Sequence, residues 1–245
     1  MRKSNSEGVK MEKPNRNIIG ETKADHIYRI VKQDIIEGNL MPGEKLVVSR
    51  IAESHSISAI PVREAFNRLE AEGLITIRPH QGAYIKKIET ELLKELYPIR
   101  ALLEGYAVRL STPLLKAKDL RCLRDLTKKM DEAIEVKKYS QMGRLNHEFH
   151  GILYRRCGNE SLVKLIEELW QKTIVARIVF NLVPHRAPTS NLEHKKLVEA
   201  IIEKKARKAE RLIVKQNEKT LELLVKHLEN TNRIKKQENR KTDSA

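Results

Sequence analysis

Residues 23–87 read KADHIYRIVKQDIIEGNLMPGEKLVVSRIAESHSISAIPVREAFNRLEAEGLITIRPHQGAYIKK, and the patterns in this stretch decide the fold. Apolar residues first recur at helical spacing up to Gly38, a residue that suits a helix end. Pro42-Gly43 then makes a turn. The spacing next predicts a short helix over residues 49–54 and a longer helix over residues 59–72.

Two short runs after the longer helix alternate apolar and polar residues. They cover residues 75–77 and 83–85, and they flank the turn residues 79–82. Alternation around a short turn is typical of an antiparallel hairpin. The order of helix, turn, helix and hairpin predicts a winged helix-turn-helix, a unit that places one helix in a DNA major groove.

The helix predicted over residues 59–72 has two chemically different sides. Its apolar face comprises Val62, Ala65, Phe66 and Leu69. Its polar face comprises Arg63, Glu64, Asn67 and Arg68. Ser58 precedes the helix as a candidate cap, and Pro61 lies in its first turn, where a missing N–H does little harm. Such a helix can stay anchored in a core while its polar side reaches base edges.

Composition indicates a mainly α-helical protein of two domains. The chain has 245 residues, 40% of them hydrophobic, which suffices for two cores, and only 4% are aromatic. The net charge is +15, with 15 basic against 11 acidic residues in 1–88 and 33 against 22 in the rest. Because the excess lies mostly outside the predicted DNA-binding unit, charge supports nucleic-acid binding only as a long-range, salt-sensitive effect.

The patterns divide the chain into four parts. Residues 1–20 are predicted to be a flexible basic arm, and residues 21–88 the winged helix-turn-helix DNA-binding domain. Residues 89–230 are predicted to form an all-helical bundle of about six helices, in which Pro98 should kink or interrupt the first helix. The polar, charged residues 231–245 are predicted to be a disordered tail.

Cysteine usage and hydropathy predict a soluble protein of the reducing cytoplasm. Cys122 and Cys157 are the only cysteines, and no apolar signal segment precedes them, so a disulfide framework or a cysteine zinc site is not expected. No run approaches the roughly 18 apolar residues that a membrane span requires. We therefore expect no membrane partner.

Four segments of the first domain resemble the GntR family of bacterial transcription regulators, specifically its FadR-like branch with the all-helical FCD ligand-binding domain. They are IIEG at 35–38, LMPGEKL at 40–46, PVREAFNRL at 61–69 and EGLI at 72–75. The resemblance extends over nearly the whole chain. It implies a DNA-binding regulator with a ligand-binding and dimerisation domain, and no enzymatic activity.

The resemblance also implies which residues contact DNA. In the family the arginine of the Pro-Val-Arg-Glu segment contacts DNA, which marks Arg63, and the wing tip, here Gln81 and Gly82, approaches the minor groove. The other predicted contacts are Arg50, Asn67 and Arg68. For Arg63 the alternative is a surface salt bridge to a neighbouring glutamate.

Two positions depart from the family pattern. Ser49 and Ala59 stand where the family commonly has basic residues, although Arg50 lies beside the former. We therefore expect an operator that differs from the family's usual sequence.

The second domain resembles FCD domains in the segments YPIR at 97–100, NHEFH at 146–150 and EHKKL at 193–197. Many FCD domains bind a metal through an Asp, a His four residues later, the His of the Glu-His segment and a further His, and the metal helps to hold a small carboxylate effector. The matching positions here are Asn146, His150, His194 and Gln216.

The chemistry of those four positions leaves three interpretations open. Helical spacing places Asn146 and His150 on one face, yet the neutral amides Asn146 and Gln216 replace a carboxylate and an imidazole. The site could hold a divalent ion of the Zn or Ni class, line an organic-ligand pocket, or contain ordinary hydrogen-bonded histidines. His147 could shift the site by one position.

Arg100 and Glu104 lie one helical turn apart and have two interpretations. Their spacing fits an ordinary surface ion pair. The resemblance instead implies that Arg100, Glu104 and Gln216 face the effector, because family members often use the first two positions to line the cavity, where an arginine binds a carboxylate. Arg177 is a weaker candidate of the same kind.

The predicted function is a homodimeric transcription regulator, preferably a repressor, that binds double-stranded operator DNA and responds to a small organic acid. Dimerisation is expected because one winged helix-turn-helix domain contacts only a short half-site of the operator. One alternative is a metal-responsive regulator, in which the ion itself is the signal. A remote alternative is a metal-dependent hydrolase with a DNA-docking module, although the sequence has no nucleophile elbow or phosphate-binding glycine loop.

Overall fold

The computed structural model describes residues 21–173 and 178–242, with side chains described as far as Arg233. The described chain forms two compact units. The first contains residues 21–33 and 43–86, and the second contains residues 34–42 and 87–242. The arm predicted at 1–20, the candidate Arg177 and the last three residues lie outside the described part.

The first unit is the predicted winged helix-turn-helix. Its helices are α1 (Lys23–Glu37), of which residues 34–37 belong to the second unit, α2 (Val48–Ser54) and α3 (Ala59–Ala71). Its strands are β1 (Lys45–Leu46), β2 (Ile75–Arg78) and β3 (Gly82–Ile85), which form an antiparallel sheet in the order β1-β3-β2. The buried apolar side chains of this unit include Ile27, Val31, Leu46, Val62, Phe66, Leu69, Leu74 and Ile85.

Two details of this unit differ from the sequence prediction. The sheet has a third strand, β1, whose two residues pair with Tyr84 and Ala83 of β3. A strand of two residues cannot show alternation, so its pairing depends on the hairpin beside it. Ser58 does occupy the position before α3 in an extended conformation, but its side chain makes no capping hydrogen bond.

The second unit is all-helical among its described residues. Its helices are α4 (Thr90–Ser111), α5 (Ala117–Glu135), α6 (Tyr139–Arg155), α7 (Glu160–Lys172), α8 (Val179–Leu182), α9 (Arg186–Ile202) and α10 (Ala206–Thr242). About six helices were predicted, and the structure has seven; the additional helix is the four-residue α8. Pro98 lies inside α4 and does not end it. Gly105 allows α10 to approach α4 closely, since a Cβ there would lie 3.0 Å from Cγ2 of Val214.

The tail prediction is wrong for residues 231–242, which continue α10 to Thr242. Lys, Arg, Glu and Gln favour helices, and adding residues to a helix that is already formed costs little. Leu224, fully buried, anchors the preceding part of this helix. In the described part of the chain, no helix is both long and apolar enough to cross a bilayer.

Candidate DNA-binding helix and buried ligand pocket

Helix α3 presents the two sides that its sequence predicted. Val62, Ala65 and Leu69 are fully buried, and Phe66 is 2% exposed. The opposite side exposes Arg63, Glu64, Asn67 and Arg68. The apolar contacts hold the helix in place, so Arg63 projects from a rigid element rather than from a loop. This is the arrangement that groove recognition requires.

Arg68 differs from Arg63 because α1 holds it in place. Its Nη1 lies 2.6 Å from Oδ1 of Asp25, and its guanidinium lies 4.3 Å from the centre of the Tyr28 ring. Hydrogen bonds from Arg68 and Thr22 lower the pKa of Asp25 to about 2. Arg68 therefore joins α3 to α1 within this unit.

The wing carries the other predicted contacts and two further cations. Gln81 is exposed in the turn between β2 and β3, and Gly82, the exposed first residue of β3, adopts a φ of +100°, which glycine tolerates best. The guanidinium of Arg78 lies 5.0 Å from the centre of the Tyr84 ring, and Nζ of Lys45 lies 5.8 Å from it. The sequence analysis missed Lys45, because only strand pairing brings it beside the wing. Arg50, on α2, is also exposed.

Glu104 is the centre of a buried polar cluster in the helical unit. It is 2% exposed and accepts four hydrogen bonds. Its Oε1 accepts from Nε of Arg100 at 3.0 Å and from Nε1 of Trp170 at 2.6 Å. Its Oε2 accepts from the hydroxyl of Tyr154 at 2.8 Å and from Nδ2 of Asn217 at 2.9 Å. These hydrogen bonds join side chains of α4, α6, α7 and α10 at one carboxylate.

Arg100 and Glu104 form a buried, charged pair. Burial acts to raise the pKa of Glu104, but Arg100 and then His150 act against it, and the pKa stays below its usual value. Burial acts to lower the pKa of Arg100, whereas Glu104 raises it above its usual value. Nη1 of Arg100 also donates to Oγ1 of Thr173 at 3.1 Å. The surface-pair interpretation is therefore wrong, since the side chain of Arg100 is only 11% exposed.

His150 and His194 contact each other beside the Glu104 cluster. Their Nε2 atoms lie 3.2 Å apart, and Nδ1 of His150 lies 3.1 Å from the Tyr154 hydroxyl. Burial lowers the pKa of His150 to about 4 and that of His194 well below its usual value. Both imidazoles are therefore neutral at pH 7, and each has one N–H and one lone pair.

The hydrogen bonds define which nitrogen of each histidine carries the proton. Tyr154 donates its only hydrogen to the Glu104 carboxylate, so Nδ1 of His150 must donate to the tyrosine oxygen. Nε2 of His150 then accepts from Nε2 of His194. Nδ1 of His194 is left with a lone pair that has no hydrogen-bond partner among the described residues.

A cavity of about 630 Å³, counted with its opening to solvent, adjoins this cluster. Of the predicted residues, Arg100, Glu104, Asn146, His150 and Gln216 line it, whereas His194 contacts His150 from outside the lining. The lining residues that the sequence analysis missed are Tyr97, Gly143, Trp170, Thr173, Val179, Phe180, Ser190, Asn217 and Thr220.

Two polar residues that the sequence analysis missed left a signal in the sequence: Tyr154, which bonds to Glu104, and Asn217, which lines the cavity. Tyr154 lies four residues after His150, which lies four after Asn146, so the three share a helix face. Asn217 directly follows Gln216. His147 is exposed and lies against Trp170, with ring centres 4.6 Å apart, at the rim of the cavity. His150, and not His147, therefore provides the inward imidazole.

The residues present supply part of a metal site. The Nε2 atoms of His150 and His194, 3.2 Å apart, are near enough to bind one ion only if His194 carries its proton on Nδ1 instead of Nε2. The hydrogen bond from Nδ1 of His150 would then orient that ligand. However, among the described residues no group of three or more His, Cys, Asp or Glu could hold a metal. Glu104 cannot add a negative ligand, because four donors already occupy it.

Comparison with known proteins identifies the family to which the two domains belong. The family model for the bacterial regulatory proteins of the gntR family matches residues 23–85, and the FCD domain model matches residues 95–218. The chain belongs to the GntR family. It is a transcription regulator of the GntR type with an FCD domain.

Three relatives illustrate the similarity. The Nta operon transcriptional regulator of Aminobacter aminovorans is 34% identical over 56% of this chain, which spans 64% of that protein's length. The transcriptional repressor RspR of Escherichia coli K12 is 30% identical over 68% of this chain and 72% of its own length. The solved structure of E. coli McbR/YncC covers 82% of this chain and 97% of its own, with 26% identity and a TM-score of 0.67.

Proposed function

We propose that this GntR regulator is a homodimeric repressor that binds operator DNA through α3 and responds to a small carboxylate in its FCD cavity. The exposed Arg63 on a helix anchored by four buried apolar residues is the observation that carries the proposal. RspR is described as a repressor, which supports repression rather than activation of transcription. Two winged helix-turn-helix domains bound to one operator would give the affinity that a single domain on one half-site lacks.

Among the exposed arginines of α3, we assign the base contact to Arg63. Arg68 is paired with Asp25, whereas no ion pair of Arg63 is found within the described residues. Arg50, Asn67, Gln81 and Gly82 are exposed on α2, α3 and the wing, and we assign them supporting contacts to phosphates and the minor groove.

Replacing Arg63 by alanine should remove most specific operator binding. A good arginine contact to a guanine edge contributes about 1–3 kcal/mol, so we expect a loss of roughly 5- to 150-fold per half-site. The operator would first be selected from random duplex DNA with the wild-type chain, and affinities would then be measured by gel shift. Light scattering of the complex should give two chains per duplex.

The matched control is Arg121→Ala, which removes an exposed arginine from α5 and should leave operator affinity unchanged. Circular dichroism would verify that Arg63→Ala keeps the wild-type helix content. Wild-type operator affinity in Arg63→Ala would contradict the proposed role of α3.

The effector proposal depends on the hydrogen-bond donors around the cavity. Arg100 is held at its wall by Glu104 and Thr173, and the amides of Gln216 and Asn217 lie on the same lining. A guanidinium in a fixed position suits a carboxylate, which it binds through charge-assisted hydrogen bonds. Binding can regulate only if the carboxylate favours one arrangement of the regulator over another.

A thermal-shift screen of small mono- and dicarboxylates should yield a ligand that raises the melting temperature of the wild-type chain. At a ligand concentration 100 times the Kd, the stabilisation is about 2.7 kcal/mol. Arg100→Lys keeps the charge but loses the planar guanidinium that can bind both oxygens of a carboxylate, so the same ligand should give a much smaller shift. A full shift in Arg100→Lys would refute the role of Arg100.

The screen also distinguishes the second candidate, in which a divalent ion of the Zn or Ni class assists the carboxylate. The His150 and His194 pair supports this candidate, with Asn146 and Gln216 as neutral neighbours. A shift that survives chelator supports the metal-free pocket. A shift that needs added Zn or Ni, and is lost in His150→Gln, supports the metal-assisted pocket. Operator release by the ion alone would support a metal-responsive regulator.

We propose no enzymatic activity. A hydrolase would need a carboxylate or imidazole that is available to a substrate as a general base. Glu104, the buried carboxylate of the cavity, accepts four hydrogen bonds and is not available. The inward imidazole of His150 is hydrogen-bonded at both nitrogens, to Tyr154 and His194.

A further inference from the structure

The side chain of Ile60 is 76% exposed. Within the part of the chain that the structure describes, no other large apolar side chain is exposed to this extent. Ile60 is the second residue of α3, so its backbone is fixed by the helix. An isoleucine in this position gains little from burial within its own unit, so its apolar surface is available to a partner.

Ile60 lies on the groove-facing side of α3. Arg63, Glu64 and Asn67 follow it by three, four and seven residues, which places all four on one face of the helix. All four are exposed, and the buried Val62 and Phe66 hold this face outward. Ala59 precedes Ile60 and is too small to cover it.

The DNA major groove offers an apolar side chain one specific partner. Base edges there present hydrogen-bond donors and acceptors, and the apolar group among them is the C5-methyl of thymine. The N-terminal residues of a recognition helix are those that contact base edges in helix-turn-helix proteins. An exposed isoleucine at the start of α3 therefore fits a thymine methyl group.

We propose that Ile60 contacts the C5-methyl of a thymine in each operator half-site and so specifies thymine at that position. This inference rests on the proposed binding of operator DNA by α3. Arg63 supplies hydrogen bonds to its base and adds affinity, whereas Ile60 distinguishes thymine from bases that lack the methyl group.

The test compares thymine with uracil, which differs from it only by the absence of the C5-methyl group. The operator selected from random duplex DNA by the full-length chain is synthesised with each thymine pair replaced in turn by deoxyuridine. One symmetric replacement should weaken wild-type binding by roughly fourfold per half-site, the effect of burying one methyl group. Replacement at the other positions should have little effect.

The variant Ile60→Ala carries the decisive comparison. It should bind the thymine operator more weakly than the wild-type chain does, and it should bind the thymine and uracil forms of the critical position equally well. Val136→Ala, which truncates another exposed apolar residue in the helical unit, should keep the wild-type preference for thymine.

Three results would overturn the inference or its basis. Equal wild-type affinity for thymine and uracil at every position would refute the methyl contact. A preference that persists in Ile60→Ala would assign the methyl contact to another residue. Failure of the wild-type chain to enrich any sequence would instead refute the proposed function itself, so the two failures are distinguishable.

Discussion

Lowering the pH from 7 to 4 should reduce the free energy of unfolding of the helical unit by about 3 kcal/mol through His150 alone. The pKa of His150 is about 4 in the folded protein, against an ordinary value near 6.5. As the pH falls below 6.5, His150 binds a proton in the unfolded chain but stays unprotonated in the folded chain. The loss therefore grows between pH 6.5 and pH 4, and below pH 4 the folded protein is protonated as well.

The surroundings of His150 explain the size of this effect. Burial is the main cause of the lowered pKa, and Arg100 lowers it further, while Glu104 opposes both. His194, also buried, has a pKa lowered in the same direction, so its contribution adds to the loss. Chemical denaturation at pH 7, 6, 5 and 4 measures the effect. Trp170, the only tryptophan, reports on the helical unit through its fluorescence.

Two variants make the acid experiment decisive. His150→Gln removes one titrating group and should make the decline between pH 6.5 and 4 less steep, with the contribution of His194 remaining. His185→Gln changes an exposed histidine of the same unit and should keep the wild-type decline. If the His150→Gln and wild-type curves fell in parallel, the buried imidazole would not be the source of acid sensitivity.

Replacing Glu104 by alanine should lower the free energy of unfolding by about 3–5 kcal/mol at pH 7. The substitution leaves Arg100 without its partner anion, and it also removes the carboxylate that accepts hydrogen bonds from Tyr154, Trp170 and Asn217. Removing one partner of a buried, hydrogen-bonded pair costs far more than such a pair adds at the surface. Because Arg100 borders the cavity and gains some hydration there, we expect a value near the lower end.

Denaturation followed by Trp170 fluorescence measures this loss. Glu104→Gln keeps the volume and two of the acceptor positions, so its stability should lie between the wild-type protein and Glu104→Ala. Glu203→Ala is the control, because Glu203 pairs with Lys205 and Lys208 at the surface, and its midpoint should hardly change. Equal midpoints for Glu104→Ala and Glu203→Ala would show that the cluster around Glu104 does not stabilise the fold.

The winged unit was predictable because its signals are local. The spacing of Val62, Ala65, Phe66 and Leu69 defines a helix face within one element, and this face is buried as predicted. The hairpin likewise shows alternation around a short turn. By contrast, β1 spans only two residues and forms because Leu46 meets Ala83 across the sheet.

The cavity was predictable only in part. Arg100, Glu104, His150 and Gln216 were recognised through family resemblance, and all four line one cavity. The donors from Tyr154, Trp170 and Asn217 were missed. They lie 50, 66 and 113 residues from Glu104 along the chain, and no local pattern indicates that such distant side chains share one carboxylate.

The sequence by itself determined the longer helices and the hairpin and their exposed faces, because helical and strand periodicities are set by the order of apolar and polar residues along one segment. It placed Arg63 on the open side of α3. Only the tertiary structure decided that Arg68 is paired with Asp25, that Glu104 accepts four hydrogen bonds, and that His150 and His194 are neutral. These properties depend on burial and on charges brought together from separate helices, since both the pKa and the strength of a hydrogen bond follow from the surroundings that packing creates.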